Sequence, residues 1–149
     1  MLVYRITLAK YAQGLLASGR AARWNSNDWE MIYTSSSQSL ACLENVVHRS
    51  QIGLSDQFRL LTIEIPERIA IVSLDLTQLP GQWYIFENMN ITQHLGDQWL
   101  KQADNAVLRV PSSIIQSEFN YLLNPSHADF RLIKLLNVEP FKFDERIKR

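Results

Sequence analysis

The sequence is poor in the residues that build common cofactor and metal motifs. Its five glycines, at positions 14, 19, 53, 81 and 96, form neither a dinucleotide-binding fingerprint nor a phosphate-binding loop. The three histidines lie far apart, and the single cysteine, Cys42, lies six residues before His48, which matches no zinc spacing. No G-x-S-x-G elbow marks a serine hydrolase. We therefore expect no metal site, and a nucleotide, if bound, has to be held in another way.

The chain also lacks an excess of charge and a long apolar run. Its 149 residues include 15 basic and 15 acidic ones, so the net charge is zero and no general field attracts nucleic acid or an anionic membrane. One cysteine excludes an intramolecular disulfide and is typical of a reducing compartment. The N-terminus has no uninterrupted signal-peptide core, and no stretch approaches a membrane span. We expect a soluble cytoplasmic protein.

The residues that are present predict one ordinary globular domain. The chain is 46% hydrophobic and 20% charged, and no repeat or linker divides residues 1–149. Strands are predicted at residues 2–7, 31–34, 58–65, 69–74 and 106–111, with one or two more on either side of Pro140. Helices are predicted within 8–19, from about Gln38 to Arg49 after a serine cap, and within 91–104. Because helices and strands are interspersed without regular alternation, we predict an α+β fold with a mixed sheet.

A candidate carboxylate lies on the second of these helices. A helical wheel puts Glu44 and His48 together on the flank of a predicted buried stripe, which consists of Leu40, Leu43, Val46 and Val47. A carboxylate at the rim of the core is partly desolvated and can be aimed into a cleft. The simpler interpretation is a half-exposed glutamate paired with His48 one turn later.

Two further polar residues precede Glu44 at steps of ten and eleven. Arg23 lies in a polar loop, where its guanidinium could clamp a phosphate, cap a carbonyl or stack on Trp24. Tyr33 lies in a short strand and either points to the same sheet edge as Glu44 or packs in the core with its hydroxyl satisfied locally.

The stretch "VPSSIIQSEFNYLLNP" carries a second group of polar residues. Ser112 directly follows a strand that ends at Pro111, a position typical of a turn or cap residue. Glu118, Asn120 and Asn124 are expected to satisfy backbone groups in an irregular segment.

Three segments in order, "GRAARWN", "YTSSSQSLACLENVVH" and "VPSSIIQSEFNYLLNP", resemble the RES domain, which is found in toxins of bacterial toxin-antitoxin pairs. Arg23, Glu44 and Ser112 match the arginine, glutamate and serine that give the family its name. "VYRI" fits the family's opening, so the resemblance spans nearly the whole chain. The family's glycine pair before the arginine is replaced by Ala21 and Ala22. Alanine would strain the loop if it needs positive φ there.

The resemblance implies an ADP-ribosyltransferase-like fold and action on NAD+, without a metal. Family members cleave the bond between nicotinamide and ribose or transfer ADP-ribose to a target. Glu44 would then stabilise the oxocarbenium-like state, and Arg23 would bind the pyrophosphate. Tyr33 would form a wall for nicotinamide, and Ser112 would hydrogen-bond the substrate near the nicotinamide ribose.

The acceptor for the ribose could be water, phosphate or a protein side chain. A phosphorylase would need a second anion site, for which Arg5 and Arg109 are candidates. The family also implies an antitoxin with an Xre-type helix-turn-helix domain that obstructs the NAD pocket, which leaves DNA binding to that partner. The alternative from another class is a domain that has lost catalysis and only binds NAD or its antitoxin.

Overall fold

The computed structural model describes residues 1–48 and 57–147, and its framework is a seven-stranded sheet. The elements are β1 (Leu2–Leu8), β2 (Ile32–Ser35), α1 (Gln38–His48), β3 (Phe58–Glu64), β4 (Ile71–Ser73), α2 (Met89–Gln102), β5 (Val107–Pro111), β6 (Phe119–Leu123) and β7 (Lys134–Phe141). The strand order is β4-β5-β6-β2-β1-β3-β7, in which β4 and β5 are parallel and the other neighbours antiparallel. The predicted α+β fold with a mixed sheet is confirmed.

The central strands are buried on both faces, which explains their near-continuous apolar runs. Val107, Leu122 and Leu123 have no exposed surface. Helix α2 packs through Trp99 and Leu100 into a cluster that also contains Leu108, Val110 and Leu122 of the sheet. Burying a side chain of this size stabilises a fold by about 1.5–3 kcal/mol.

The helix predicted within residues 8–19 is wrong. Strand β1 continues to Leu8, and a single 3-10 turn follows at Ala9–Tyr11. A short helix has a costly nucleus, and Gly14 weakens this one further. The carbonyl of Leu16 instead accepts a hydrogen bond from Nη1 of Arg5 at 2.7 Å.

Helix α1 begins where a serine cap was expected. The hydroxyl of Ser37 accepts the N–H of Leu40 at 3.1 Å, and the helix runs from Gln38 to His48. Arg49, the predicted last residue, lies outside the described residues. The predicted buried stripe is partly wrong, because Val47 is exposed while Ala41 is buried beside Leu40. Close packing of α1 on β1 and β2 selects the small side chain of Ala41.

Two predictions near the C-terminus also need correction. The segment expected to be irregular contains β6, which pairs with β2 on one side and β5 on the other. Strand β7 passes through Pro140 without a break, because an edge strand has one side that needs no hydrogen-bonding partner.

Candidate functional site

A cavity of about 560 Å³ lies where β1 and β2 separate. Strand β2 pairs with β6 over four residues but meets β1 at one register position, Tyr4 opposite Ser35. Residues 4–7 of β1 and 33–35 of β2 therefore flank the cavity, and α1 and the loop 21–24 close it. Its volume is that of an ordinary small-molecule site.

Glu44 lies on the cavity wall and is held by three side chains. Its Oε1 accepts hydrogen bonds from the hydroxyl of Ser112 and the amide of Asn120, both at 2.7 Å. Its Oε2 lies 3.2 Å from Nε2 of His48, the i+4 pair expected from the helical wheel. The Glu44 side chain is only 17% exposed, so these donors replace most of its contact with water.

The balance of these interactions keeps the carboxylate ionised. Burial acts to raise the pKa of Glu44, while the hydrogen bonds from His48, Asn120 and Ser112 lower it. The hydrogen bonds outweigh burial, and the pKa of Glu44 lies below its ordinary value. At neutral pH the cavity therefore contains a fixed negative charge.

Ser112 supports Glu44 from behind and does not form part of the cavity wall. It is fully buried, and its hydroxyl also accepts the N–H groups of Ile114 and Ile115. The neighbouring Ser113 and Asn120 line the cavity instead. The expected hydrogen bond from Ser112 to a substrate does not fit this placement, because the hydroxyl proton already goes to Glu44.

Asn120 lines the cavity and contacts Glu44, a placement that the sequence did not predict. Its Nδ2 donates to Glu44, and its Oδ1 accepts the hydroxyl of Ser35 at 2.9 Å, so the orientation of the amide is fixed. The usable signal was the polar residue within the alternating run "FNYLL", which predicts a strand rather than an irregular segment.

Arg23 lies on the cavity wall, as Glu44 and Tyr33 do. Its Nη1 donates to the carbonyls of Trp83 and Ile85 at 3.3 and 3.2 Å. Its Nε is buried and has no hydrogen-bond partner among the residues that the structure describes. Burial lowers the pKa of Arg23, and the negative charge of Glu44 raises it. The guanidinium of Arg23 therefore caps two carbonyls, which is one of the three alternatives considered for it from the sequence. Its Nε–H remains as a donor without a partner among the described residues.

The hydroxyl of Tyr33 organises the arginine loop. It accepts the N–H of Trp24 at 3.0 Å and donates to Oδ1 of Asn25. Nδ2 of Asn25 in turn donates to the carbonyls of Arg20, Ser26 and Trp29. Burial raises the pKa of Tyr33 far above its ordinary value, so the hydroxyl remains protonated. Tyr33 therefore lines the cavity while its hydroxyl is hydrogen-bonded within the loop, so the two alternatives considered from the sequence hold together.

Helix α2 fixes the same loop from the other side. The hydroxyl of Thr92 donates to the carbonyl of Arg23, and Nε2 of Gln93 donates to the carbonyl of Ala22 at 2.9 Å. One turn later, a Cβ at Gly96 would lie 1.6 Å from the carbonyl oxygen of Trp24. Glycine ordinarily weakens a helix, but here the missing side chain of Gly96 permits this close approach.

The alanines that replace the family's glycine pair are accommodated without backbone strain. The described residues other than glycine that have positive φ are Asp28, Gln82 and Ala103. Ala21 and Ala22 are not among them, and both line the cavity. The strain that the substitution would cause at positive φ does not arise.

The structure separates the two candidates for a second anion site. Arg5 lines the cavity, whereas Arg109 lies outside the lining with its guanidinium 4.2 Å above the ring of Phe119.

Within residues 1–48 and 57–147, no group of three potential metal ligands comes together. In the same part of the chain, no helix combines the length and apolar character needed to span a membrane.

Comparisons with known proteins agree with the fold. The family model described as RES domain matches residues 2–144. A Yersinia enterocolitica protein named Toxin Res is 36% identical, with 99% of this chain and 100% of that protein aligned. A Sphingobium protein named Prs ADP-ribosylating toxin is also 36% identical, over 85% of this chain and 80% of its own length. A chain from the crystal structure of the M. tuberculosis MbcT-MbcA toxin-antitoxin complex superimposes with a TM-score of 0.74, at 16% identity, over 94% of this chain and 83% of that one.

Proposed function

This chain belongs to the RES domain family, and from that premise we propose that it is the toxin of a bacterial toxin-antitoxin pair that consumes NAD+. The reaction is cleavage of the bond between nicotinamide and ribose. The observation that carries the proposal is Glu44, an ionised and largely buried carboxylate held on the wall of a substrate-sized cavity.

Glu44 stabilises the charge that develops during cleavage. As nicotinamide leaves, positive charge accumulates on the ribose, and a fixed carboxylate nearby is worth more in the transition state than in the ground state. Cationic nicotinamide is already a good leaving group, so no strong general acid is needed. Ser112 and Asn120 act as positioning residues, since their hydrogen bonds set the orientation of Glu44.

Arg23 and Tyr33 bind the remainder of the substrate. The pyrophosphate is an anion, and Arg23 is a cavity cation with a buried donor that has no partner within the described residues. The ring of Tyr33 forms a flat wall against which nicotinamide stacks, because its hydroxyl is already held by the arginine loop.

The nucleophile that completes the reaction is water or phosphate. A glycohydrolase uses water, and the ribose carbon gains a hydroxyl group. A phosphorylase uses inorganic phosphate and has to bind a second anion, for which Arg5 is the better candidate because it lines the cavity. Burial lowers the pKa of Arg5, which remains a cation at neutral pH.

ADP-ribosyl transfer to a protein is the second candidate function. The Sphingobium relative carries the name ADP-ribosylating toxin, and the same oxocarbenium-like state serves this reaction. The alternative of a catalytically silent module that only binds NAD or an antitoxin has less support, because the two alanines impose no positive-φ strain on the loop.

The proposed partner is an antitoxin with an Xre-type helix-turn-helix domain that obstructs the cavity. The fold neighbour comes from a toxin-antitoxin complex, and the zero net charge of this chain agrees with leaving DNA binding to the partner. We place the pair in the cytoplasm, where NAD+ is available.

Proton NMR of NAD+ incubated with the purified chain tests the reaction. Release of nicotinamide supports cleavage, and an ADP-ribose phosphate ester that appears only with added phosphate identifies a phosphorylase. Intact NAD+ in the presence of folded protein contradicts both reactions. In cells, induction of the wild type is expected to stop growth, whereas induction of Glu44→Gln is not.

A further inference from the structure

Phe86 is an aromatic side chain that lines the cavity and yet remains mostly uncovered. The residue is 76% exposed, the highest value among the exposed large hydrophobic residues of the described part of the chain. A ring of this size is stabilised when a flat apolar surface covers it. Met89, whose flexible thioether suits irregular apolar surfaces, lines the same cavity.

The backbone that presents Phe86 is firmly held. Trp83 is almost fully buried, and its ring packs against Trp24 with 5.9 Å between ring centroids. Nδ2 of Asn88 donates to the carbonyl of Gln82 at 2.9 Å, which closes the turn around Phe86. The ring is therefore exposed by a well-anchored segment rather than by a loose loop.

Arg23 connects Phe86 with Glu44 across the cavity. Its Nη1 donates to the carbonyl of Ile85, the residue directly before Phe86, and its charge interacts with that of Glu44. Glu44, Arg23 and Phe86 all line this one cavity. In NAD+ the pyrophosphate joins the cleaved ribose to the adenosine, so a cation that binds the pyrophosphate has to lie between the groups that bind the two ends.

We propose that Phe86 is the stacking surface for the adenine ring of the dinucleotide. This inference rests on the proposed action on NAD+ and adds the site that distinguishes a dinucleotide from a mononucleotide. Every purine has a flat π-face, so one exposed ring is sufficient for stacking. Arg23 donates to the carbonyls of Trp83 and Ile85 and thereby fixes the position of the segment that carries Phe86 relative to the proposed pyrophosphate site.

The test compares two substrates and three variants. NAD+ contains adenosine, whereas nicotinamide mononucleotide has the same scissile bond and lacks it. Phe86→Ala removes the stacking ring and Phe86→Trp retains one. Tyr84→Ala is the matched control, because Tyr84 is an exposed aromatic residue of the same segment that does not line the cavity.

We expect Phe86→Ala to raise KM for NAD+ about tenfold, with a smaller effect on kcat. Turnover of nicotinamide mononucleotide should be unchanged, and Phe86→Trp and Tyr84→Ala should resemble the wild type with NAD+. An unchanged KM for NAD+ in Phe86→Ala, or an equal loss with both substrates, overturns the inference.

Calorimetric titration with ADP separates this inference from the proposed reaction. ADP contains the adenine and the pyrophosphate but no scissile bond, so its binding does not require catalysis. If the wild type leaves NAD+ intact, about tenfold weaker ADP binding by Phe86→Ala still supports the stacking role. Equal binding by the two proteins, or no binding by the wild type, overturns it.

Discussion

The buried hydroxyl of Ser112 donates a 2.7 Å hydrogen bond to Oε1 of Glu44, a residue 68 positions earlier in the chain. The same hydroxyl accepts the N–H groups of Ile114 and Ile115 at 3.1 and 3.2 Å, so its proton is directed to the carboxylate. The turn after β5 thereby fixes a side chain of α1. These hydrogen bonds support the proposal that Ser112 positions Glu44 rather than contacting the substrate.

Ser112→Ala should affect both turnover and stability. The change removes one donor from Glu44 and the hydroxyl acceptor of the Ile114 and Ile115 N–H groups, and each lost hydrogen bond costs about 0.5–1.5 kcal/mol of unfolding free energy. Nicotinamide release should fall about tenfold, with KM for NAD+ changed little. Urea unfolding and steady-state kinetics measure the two effects, with the exposed Ser117→Ala as control. A large rise in KM with kcat unchanged would contradict the positioning role.

Asn120→Ala should change the pH dependence of the reaction. Nδ2 of Asn120 lowers the pKa of Glu44 by hydrogen bonding to its charged form, so removing the donor raises that pKa. Activity that needs the ionised form is lost as pH falls through the pKa, and the acid limb of kcat/KM should therefore move to higher pH. Profiles measured from acidic to neutral pH test this. An acid limb at the same pH in both proteins would contradict it.

The same lowered pKa predicts how acid affects the folded protein. Because the pKa of Glu44 is lower in the folded state than its ordinary value of 4.5, ionised Glu44 stabilises the fold above that value. This contribution is lost as pH falls through the folded-state pKa. Glu44→Gln should consequently have a flatter dependence of unfolding free energy on pH than the wild type in this acidic range.

Arg23→Ala should abolish NAD+ loss, because it removes the cation proposed for the pyrophosphate. The carbonyls of Trp83 and Ile85 also lose their hydrogen bonds to the guanidinium, which weakens substrate binding further. Circular dichroism should still show a folded protein, since Trp24 and Trp83 keep the segment packed. Arg20→Ala, an exposed arginine of the same loop, should retain wild-type turnover. Wild-type turnover by Arg23→Ala would exclude this role.

Gly96→Ala should disturb the arginine loop from α2. The added Cβ would overlap the carbonyl oxygen of Trp24, so the loop or the helix has to move. Such overpacking costs typically about 1–3 kcal/mol of stability, and it displaces Arg23 from its position. Gly14→Ala, where a Cβ meets nothing within 4 Å, is the matched control. Thermal unfolding and NAD+ turnover unchanged in Gly96→Ala would contradict the close approach.

Local sequence patterns predict the helices and strands of this fold better than they predict the tertiary contacts between them. Alternation and apolar runs located β1, β3 and β5, and the i+4 spacing predicted that Glu44 meets His48. The helix predicted within 8–19 is limited to one 3-10 turn, because its apolar spacing does not offset the cost of nucleating so short a helix with Gly14 inside it.

The candidate site shows the same limit. The family motif picks out Glu44 and Ser112, but their hydrogen bond depends on how β5, β6 and α1 meet in space. The sequence shows that Asn120 is polar, but it does not show that Asn120 donates to Glu44, because the two residues are 76 positions apart. The local sequence does not explain Gly96 within its helix, because the carbonyl that needs the space belongs to Trp24 in another segment.

The most direct measurement is the rate of nicotinamide release from NAD+ by the wild type, Glu44→Gln and Glu67→Gln, with folding verified by circular dichroism. Glu67 is an exposed glutamate in the turn between β3 and β4 and does not line the cavity. The account predicts release by the wild type and Glu67→Gln, and release at least about a hundredfold slower by folded Glu44→Gln, as expected when electrostatic stabilisation of a transition state is lost. Release by Glu44→Gln at the wild-type rate would contradict it.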